Sequence, residues 1–197
     1  MENKMEEISS QRKLEALEEN GTFIRKDGKT FLQLDCENAK ELSMKWGEKL
    51  YPFTKIGKKW ILELPFSTAV NYVQICVDGQ EVLSPELPIA HGYGRPYNYI
   101  ELPDEDGLFE LRDVPHGTLT QEFYKSKISD NWEKLILYLP PCVPSAGLPV
   151  LYLQHGFGES EISWSTTGKV NILMDNLIAA GKIKPFAIVM GNGMVKQ

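Results

Sequence analysis

One stretch decides the fold of the second half of the chain, and it reads VLYLQHGFGE at residues 150–159. Its first four residues form an unbroken apolar run, which predicts a strand covered on both faces. Gly156 and Gly158 follow directly, and they allow a sharp turn and the close approach of a ligand to backbone N–H groups. A helical spacing of apolar residues begins at Val170, and a second apolar run covers residues 185–190. This order of strand, loop, helix and strand predicts a βαβ unit in a parallel sheet.

The first half of the chain is patterned for an all-β domain. Apolar and polar side chains alternate strictly over residues 41–46, as in a strand with one solvated face. The dipeptide Asp78-Gly79 tolerates positive φ and predicts a hairpin between residues 70–77 and 80–83. About six short strands of this kind, without any helical pattern, predict a small antiparallel β-sandwich.

These patterns predict a two-domain architecture. A charged tail occupies residues 1–21, the β-sandwich residues 22–102 and an acidic, turn-prone linker residues 103–115. Residues 116–197 then form the α/β part. The expected fold class is therefore an all-β sandwich followed by an α/β domain.

Composition and charge exclude several classes of function. The chain has a net charge of -6, whereas a protein that binds nucleic acid or an anionic membrane needs a basic face. No apolar run is long enough to span a membrane, and the first residues lack the apolar core of a signal peptide, so we expect a cytoplasmic protein. Three widely spaced cysteines predict free, mostly buried thiols. No metal-ligand spacing and no cofactor motif is present, so neither a metal nor a cofactor is expected.

Three segments, in this order and at this spacing, resemble family-1 carbohydrate esterases, the esterase-D-like group that includes feruloyl and acetyl-xylan esterases. The segments are VPHGT at residues 114–118, VLYLQHGFGESEISW at 150–164 and DNLIAAGKIKPFAIVM at 175–190. The resemblance implies that residues 116–197 are the N-terminal part of an α/β-hydrolase fold. Softer features of residues 22–102 resemble the immunoglobulin-like, early-set sandwich that often precedes this catalytic domain.

The resemblance also implies where the chemistry lies. In α/β-hydrolases the loop after this strand donates an N–H group to the oxyanion hole, which stabilises the tetrahedral acyl intermediate. The candidate donors here are Gly156, Phe157 and Gly158, with His155 and Trp164 as supporting residues of the loop.

The sequence departs from the family pattern at the nucleophile. These enzymes place a serine in a G-x-S-x-G elbow, and residues 1–197 contain no such motif; Ser160, in the nearest approach, lacks the second glycine. We therefore expect a chain that stops before the elbow, with no residue assigned to the catalytic triad. In the family's sheet the strand matched by residues 150–153 lies between two neighbours. Without one of them, we expect a free apolar edge through which copies of the chain could associate.

Three functions remain open at this point. The chain is the N-terminal portion of a serine esterase acting on acylated plant-wall carbohydrate, inactive by itself, or of a ferric-enterobactin-type siderophore esterase. The third reading is a non-catalytic carbohydrate-binding or interaction module that uses the aromatic residues of the sandwich. Trp46 and Trp60 fall on the apolar side of alternating strands, which predicts core positions instead. The loop at residues 91–97 either binds sugar or packs against the α/β half.

Overall fold

The computed structural model describes residues 22–103, 106–143 and 147–193, and these divide into two compact units. The first unit holds the described residues up to Pro88 together with Asn98–Leu102. The second holds Ile89–Tyr97 and the described residues from Pro103 onward. The expected charged tail, residues 1–21, lies outside the described residues.

The first half of the chain forms ten short strands in residues 22–102. They are β1 Phe23–Lys26, β2 Lys29–Asp35, β3 Leu42–Trp46, β4 Lys49–Pro52, β5 Thr54–Ile56, β6 Lys59–Glu63, β7 Ala69–Val77, β8 Gln80–Val82, β9 Ile89–Gly92 and β10 Arg95–Leu102. One sheet has the order β1-β2-β6-β5, and the other has the order β4-β3-β7-β10-β9 with β8 beside β7. The boundary between the two units falls inside β10.

The first unit is sandwich-like because both of its sheets supply side chains to one apolar core. Leu32 and Leu34 of β2 and Leu62 of β6 share a buried cluster with Met44 of β3 and Ile75 of β7. The alternation read in the sequence therefore does mark buried and solvated faces. An all-β sandwich is confirmed, although with more strands than the sequence suggested.

Local predictions in this unit are also confirmed. Strands β7 and β8 form the expected hairpin, and Asp78 and Gly79 have φ values of 49° and 82°. Trp60 is buried, and its indole N–H donates to the Cys36 carbonyl at 2.9 Å. Trp46 is half-buried, with its ring 5.0 Å from that of Phe66.

Besides β9 and the first residues of β10, the second unit contains a four-stranded sheet and two helices within the described residues. Its elements are β11 Thr118–Lys125, β12 Trp132–Leu139, β13 Val150–Tyr152, α1 Ser163–Thr166, α2 Val170–Ala179 and β14 Ala187–Gly191. The strand order is β11-β12-β14-β13. Neither of these helices, nor any other in the described part of the chain, is long and apolar enough to cross a membrane.

Among the described strands, the expectation of a parallel sheet holds for one pair. Strands β13 and β14 are parallel neighbours joined through the helices, which confirms the βαβ unit. Strand β12 runs antiparallel to both β11 and β14, so the sheet is mixed. An apolar run does not specify the direction of the neighbouring strand.

The prediction that the residue 150–153 strand is covered on both faces is wrong for β13. Val150, Leu151 and Tyr152 are 50%, 43% and 79% exposed, and Leu153 alone packs partly against the core of the unit. The reason is position, because β13 is last in the strand order. Strand β14, which has a neighbour on each side, is buried at Ile188 and Met190 as predicted.

A buried carboxylate organises the second unit. Asp175 of α2 is 2% exposed, and its Oδ1 accepts hydrogen bonds from the Tyr138 hydroxyl at 2.6 Å and the Gly117 N–H at 3.0 Å. His116 Nδ1 lies 3.0 Å from Oδ2, and its Nε2 lies 3.0 Å from the Arg112 carbonyl. Both acceptors lack hydrogens, so His116 makes both bonds when each ring nitrogen carries one. Burial and the bond to Asp175 raise the pKa of Tyr138, which therefore stays a donor.

The segment expected to be a linker packs on the same helix. The Asn176 side chain donates to the carbonyls of Leu108 and Glu110 at 2.8 and 2.9 Å. Asn176 is itself buried. Residues 108–110 thus belong structurally to the second unit, while Asp104 and Glu105 lie outside the described residues.

The three cysteines are all unpaired. The expectation of mostly buried thiols holds for Cys76, whereas Cys36 is half-buried and Cys142 is exposed.

Asp175→Asn should destabilise the second unit by about 2 kcal/mol, because the charged acceptor of the Tyr138 hydroxyl and the Gly117 N–H becomes a neutral amide that accepts at one atom instead of two. Amide hydrogen exchange at Ile136 and Ile188 measures this loss, with Leu32 and Met44 of the first unit as internal references. The exposed Asp113→Asn is the matched control. Unchanged protection of Ile136 and Ile188 in Asp175→Asn would contradict the prediction.

Candidate functional site

The candidate site lies in the loop that leaves the carboxyl end of β13. In open α/β sheets, ligands bind just outside the carboxyl ends of parallel strands. Strands β13 and β14 are the parallel pair here, so the loops after Tyr152 and after Gly191 meet at this edge. The predicted residues 155–158 all fall in the first of these loops.

His155 joins the two loops. It is buried, its Nδ1 lies 2.8 Å from the Gly156 carbonyl, and its Nε2 accepts the Gly193 N–H at 3.0 Å. A carbonyl oxygen only accepts, so Nδ1 carries the hydrogen, while the Gly193 N–H needs a lone pair on Nε2. The partners therefore select the Nδ1–H tautomer of a neutral imidazole.

The three candidate N–H donors are not equivalent. The Gly156 N–H donates to the Glu159 carboxylate at 3.0 Å, and the Glu159 N–H returns a bond to the Gly156 carbonyl at 3.2 Å. The N–H groups of Phe157 and Gly158 donate to no residue that the structure describes. These two groups are therefore the ones available to a ligand.

The hairpin turn between β9 and β10 binds two carbonyl groups of the same loop. The Tyr93 N–H donates to the Phe157 carbonyl and the Gly94 N–H to the Gly158 carbonyl, each at 3.1 Å. Gly158 has a φ of 71°, and a Cβ there would lie 2.0 Å from Gly94 N. The packing alternative for residues 91–97 is thus confirmed, since this turn belongs to the second unit.

Trp164 lies on α1, close to the candidate loop in sequence and in space. Its indole N–H donates to the Gln154 carbonyl at 2.8 Å, directly before His155. Ser160, the serine nearest the glycine motif, donates its backbone N–H to Ser163 Oγ at 3.2 Å. No hydrogen bond joins its hydroxyl to a histidine within the described ranges.

Sequence reasoning missed a buried glutamate in this loop. Glu161 is 1% exposed; its Oε1 lies 2.7 Å from Lys134 Nζ on β12, and its Oε2 accepts from the Asn192 side chain at 2.8 Å. Burial alone would raise the pKa of Glu161, but the bonds from Lys134, its own backbone and Asn192 outweigh it and lower the pKa. The two side-chain partners, Lys134 and Asn192, are far from Glu161 in sequence and leave no local signal.

The pair His116 and Asp175 has the spacing of two members of a catalytic triad, but it is not arranged for catalysis. A triad histidine uses Nε2 to take a proton from the nucleophile. In His116 that nitrogen faces the Arg112 carbonyl at 3.0 Å, and Asp175 is committed to Tyr138 and Gly117 as well. The pair therefore has a structural role.

Three known proteins that resemble this chain, one in sequence and two in fold, are named as esterases. No family model matches the chain. An endo-1,4-beta-xylanase/feruloyl esterase of Xylanibacter ruminicola is 36% identical over 143 residues, which are 68% of this chain and 20% of that protein.

Among solved structures, the enterobactin esterase of Shigella flexneri matches with a TM-score of 0.61 and 11% identity, over 88% of this chain and 55% of the esterase. The ferric enterobactin esterase of Salmonella typhimurium matches with a TM-score of 0.57 and 9% identity, over 89% and 56%. At such low identity these two matches show a common fold. The chain spans about a fifth of the curated relative and just over half of each solved esterase.

Gly158→Ala should detach the loop from the hairpin turn, because its Cβ would collide with Gly94 N. Amide exchange at Tyr93 and Gly94 should then accelerate, by about tenfold for each lost hydrogen bond. Gly28→Ala is the matched control, since Gly28 has a similar φ of 74° and nothing within 4 Å of the added methyl group. Slow exchange at both amides in Gly158→Ala would show that the loop tolerates the side chain.

The stability of the second unit should fall with acidification through Glu161. Its pKa is lowered in the folded chain, so its contribution is complete above the unfolded value of about 4.3 and is lost as pH falls through the folded value. Glu161→Gln should flatten this acid limb, measured as the urea midpoint between pH 3 and 7. The exposed Glu122→Gln should keep the slope of the original chain, and an equal slope in both variants would refute the assignment.

Proposed function

We propose that the chain is the N-terminal portion of a serine carboxylic-ester hydrolase of the feruloyl or acetyl-xylan esterase type, and that it supplies the oxyanion-binding loop. In this proposal the first unit is an immunoglobulin-like, early-set sandwich, and residues 116–197 are the first part of an α/β-hydrolase domain. The mixed sheet with its βαβ unit supports that assignment. So does the 36% identity to a xylanase/feruloyl esterase.

One observation carries the proposal: two consecutive N–H groups, of Phe157 and Gly158, have no acceptor in the described structure. An ester under attack develops negative charge on its carbonyl oxygen, and preorganised N–H groups stabilise that charge. Their place at the carboxyl end of β13 is where α/β enzymes bind ligands. Residues 1–197 hold no G-x-S-x-G elbow, so we expect no ester turnover by this chain alone.

The side chains around these N–H groups favour an aromatic acyl group over acetyl. Phe157 is 82% exposed and Tyr93 is 70% exposed, although their backbones are bonded to each other. The Tyr93 ring meets the Tyr97 ring edge-on at 6.1 Å, and Arg95 covers Tyr97 at 4.5 Å. Exposed aromatic rings offer a planar group a surface to stack on, and each aromatic side chain has only two χ angles to fix.

Two aromatic substrates remain to be separated. A plant-wall ester would present a feruloyl group, and a siderophore ester would present a dihydroxybenzoyl group. The identity to the feruloyl esterase favours the first, whereas the match to enterobactin esterases concerns the fold. The sandwich is a weaker candidate for sugar binding, because Trp60 is buried and Trp46 is half-buried against the core.

Titration of the ¹⁵N-labelled chain with ferulate should shift the amide signals of Phe157 and Gly158, because its carboxylate mimics the acyl oxygen and its ring fits the aromatic side chains. Dihydroxybenzoyl-serine and acetate at equal concentration should shift them less. Hydrolysis of methyl ferulate and p-nitrophenyl acetate should stay at background. Unmoved amides would refute the oxyanion proposal, stronger shifts with dihydroxybenzoyl-serine would favour the siderophore ester, and a burst of product would refute inactivity.

We also propose that β13 supports self-association of this chain. The N–H of Leu153 points to Val189 and the carbonyl of Pro149 to Ala187, so by strand alternation Val150 and Tyr152 direct their N–H groups away from β14. Unpaired groups on an exposed apolar strand favour pairing with another strand.

Tyr152→Pro should abolish that pairing, because proline removes an outward N–H while leaving the bonds to β14. Sedimentation velocity should show a concentration-dependent dimer for the original chain and a monomer for Tyr152→Pro. The exposed Tyr124→Ala, on the opposite edge strand, should still dimerise. A monomeric original chain at all concentrations would rule the proposal out.

A further inference from the structure

We propose that His155 is a positioning residue that aims the Phe157 N–H at the reacting ester oxygen, and that the segment after β14 keeps it in the tautomer that does so. This inference rests on the proposed function, because it concerns the same pair of N–H donors. His155 itself touches no substrate in this scheme.

The geometry of the peptide group makes His155 an orienting residue. In a trans peptide the C=O and the following N–H point in opposite directions, and the described chain contains no cis peptide bond. The carbonyl of Gly156 is held by His155 Nδ1 at 2.8 Å and by the Glu159 N–H at 3.2 Å. The Phe157 N–H of the same peptide group must therefore point away from the His155 ring. A donor on the carbonyl also polarises the amide and strengthens its N–H as a donor.

The neighbouring peptide group is anchored by the same principle from a different element. The Phe157 carbonyl accepts the Tyr93 N–H at 3.1 Å, so the Gly158 N–H points away from the hairpin turn. In both peptide groups the carbonyl is therefore fixed, and this fixes the direction of the free N–H. Of the three donors that hold these carbonyls, the backbone N–H groups of Tyr93 and Glu159 are permanent, whereas His155 donates in only one of its neutral tautomers.

The tautomer of His155 is selected by the hydrogen bond at Nε2. The Gly193 N–H points at Nε2 over 3.0 Å, which places the lone pair there and the hydrogen on Nδ1. In the other tautomer two donors would meet at Nε2, and two lone pairs would meet between Nδ1 and the Gly156 carbonyl. Gly193 is held in turn, because its neighbour Asn192 donates to Glu161 at 2.8 Å and Glu161 is paired with Lys134.

A test in the chain itself starts with the ring nitrogens of His155. Long-range ¹H–¹⁵N correlation spectra at neutral pH should show a protonated Nδ1 and an unprotonated Nε2. A spectrum that showed an Nε2–H tautomer, a mixture of tautomers or an imidazolium cation would overturn the proposal. This test requires no variant. This measurement needs no ester, so its failure is distinct from failure of the oxyanion proposal.

Two matched variants then separate positioning from simple packing. The side-chain amide of His155→Asn can replace Nδ1, and that of His155→Gln can reach the place of Nε2. In His155→Asn the Gly193 amide should exchange about tenfold faster while the ferulate-induced shift of Phe157 persists. In His155→Gln the Gly193 amide should stay protected while the Phe157 shift is lost. Equal effects of both variants on Phe157 would refute the positioning role, and so would retention of the shift in His155→Gln.

Discussion

The second unit depends on one buried carboxylate that must be surrounded by donors. Asp175 meets this requirement with three partners from two segments: His116 and Gly117 ahead of β11, and Tyr138 of β12. An uncompensated carboxylate inside a protein is costly, so α2 has one position on the sheet that satisfies it. Glycine is required at position 117, where the N–H reaches Asp175, because a Cβ there would lie 2.4 Å from the Leu139 carbonyl. The short motif VPHGT and the distant helix are thus two parts of one polar cluster.

This fixed helix determines where the candidate site forms. Helix α2 lies between β13 and β14 in the chain, and its placement brings the carboxyl ends of these parallel strands side by side. The loops that follow are then joined by the bond from Gly193 to His155 and by the bond from Asn192 to Glu161. Each bond uses a side chain of the first loop and a group of the second. The loop that carries the free N–H groups is therefore held by tertiary contacts from three places: β12, the segment after β14 and the hairpin turn.

Sequence patterns predicted what depends on local periodicity and turn chemistry. The hairpin at Asp78-Gly79, the helix beginning at Val170 and the glycine loop after β13 all follow from such patterns. What they could not provide was pairing between distant segments. An apolar run does not show whether another element covers it, so the sequence predicts burial for β13 where the structure has exposure. Nor does a strand pattern show the direction of that strand relative to β12. The bond partners of Glu161 lie 27 and 31 residues away, where no spacing rule applies.

The candidate donors are neutral peptide groups, and this bears on what they could do in an esterase. A lysine or arginine in the same place would bind a full anion strongly, including the carboxylate product of ester hydrolysis. Oriented N–H groups gain most from the charge that develops on the carbonyl oxygen during attack, and such differential stabilisation accelerates the reaction where uniform binding does not. The neutral tautomer selected at His155 by Gly193 is consistent with this design, because it orients the Gly156–Phe157 peptide without adding a positive charge beside it. Buried Glu161 likewise adds no unbalanced charge beside the donors, because its carboxylate is paired with Lys134.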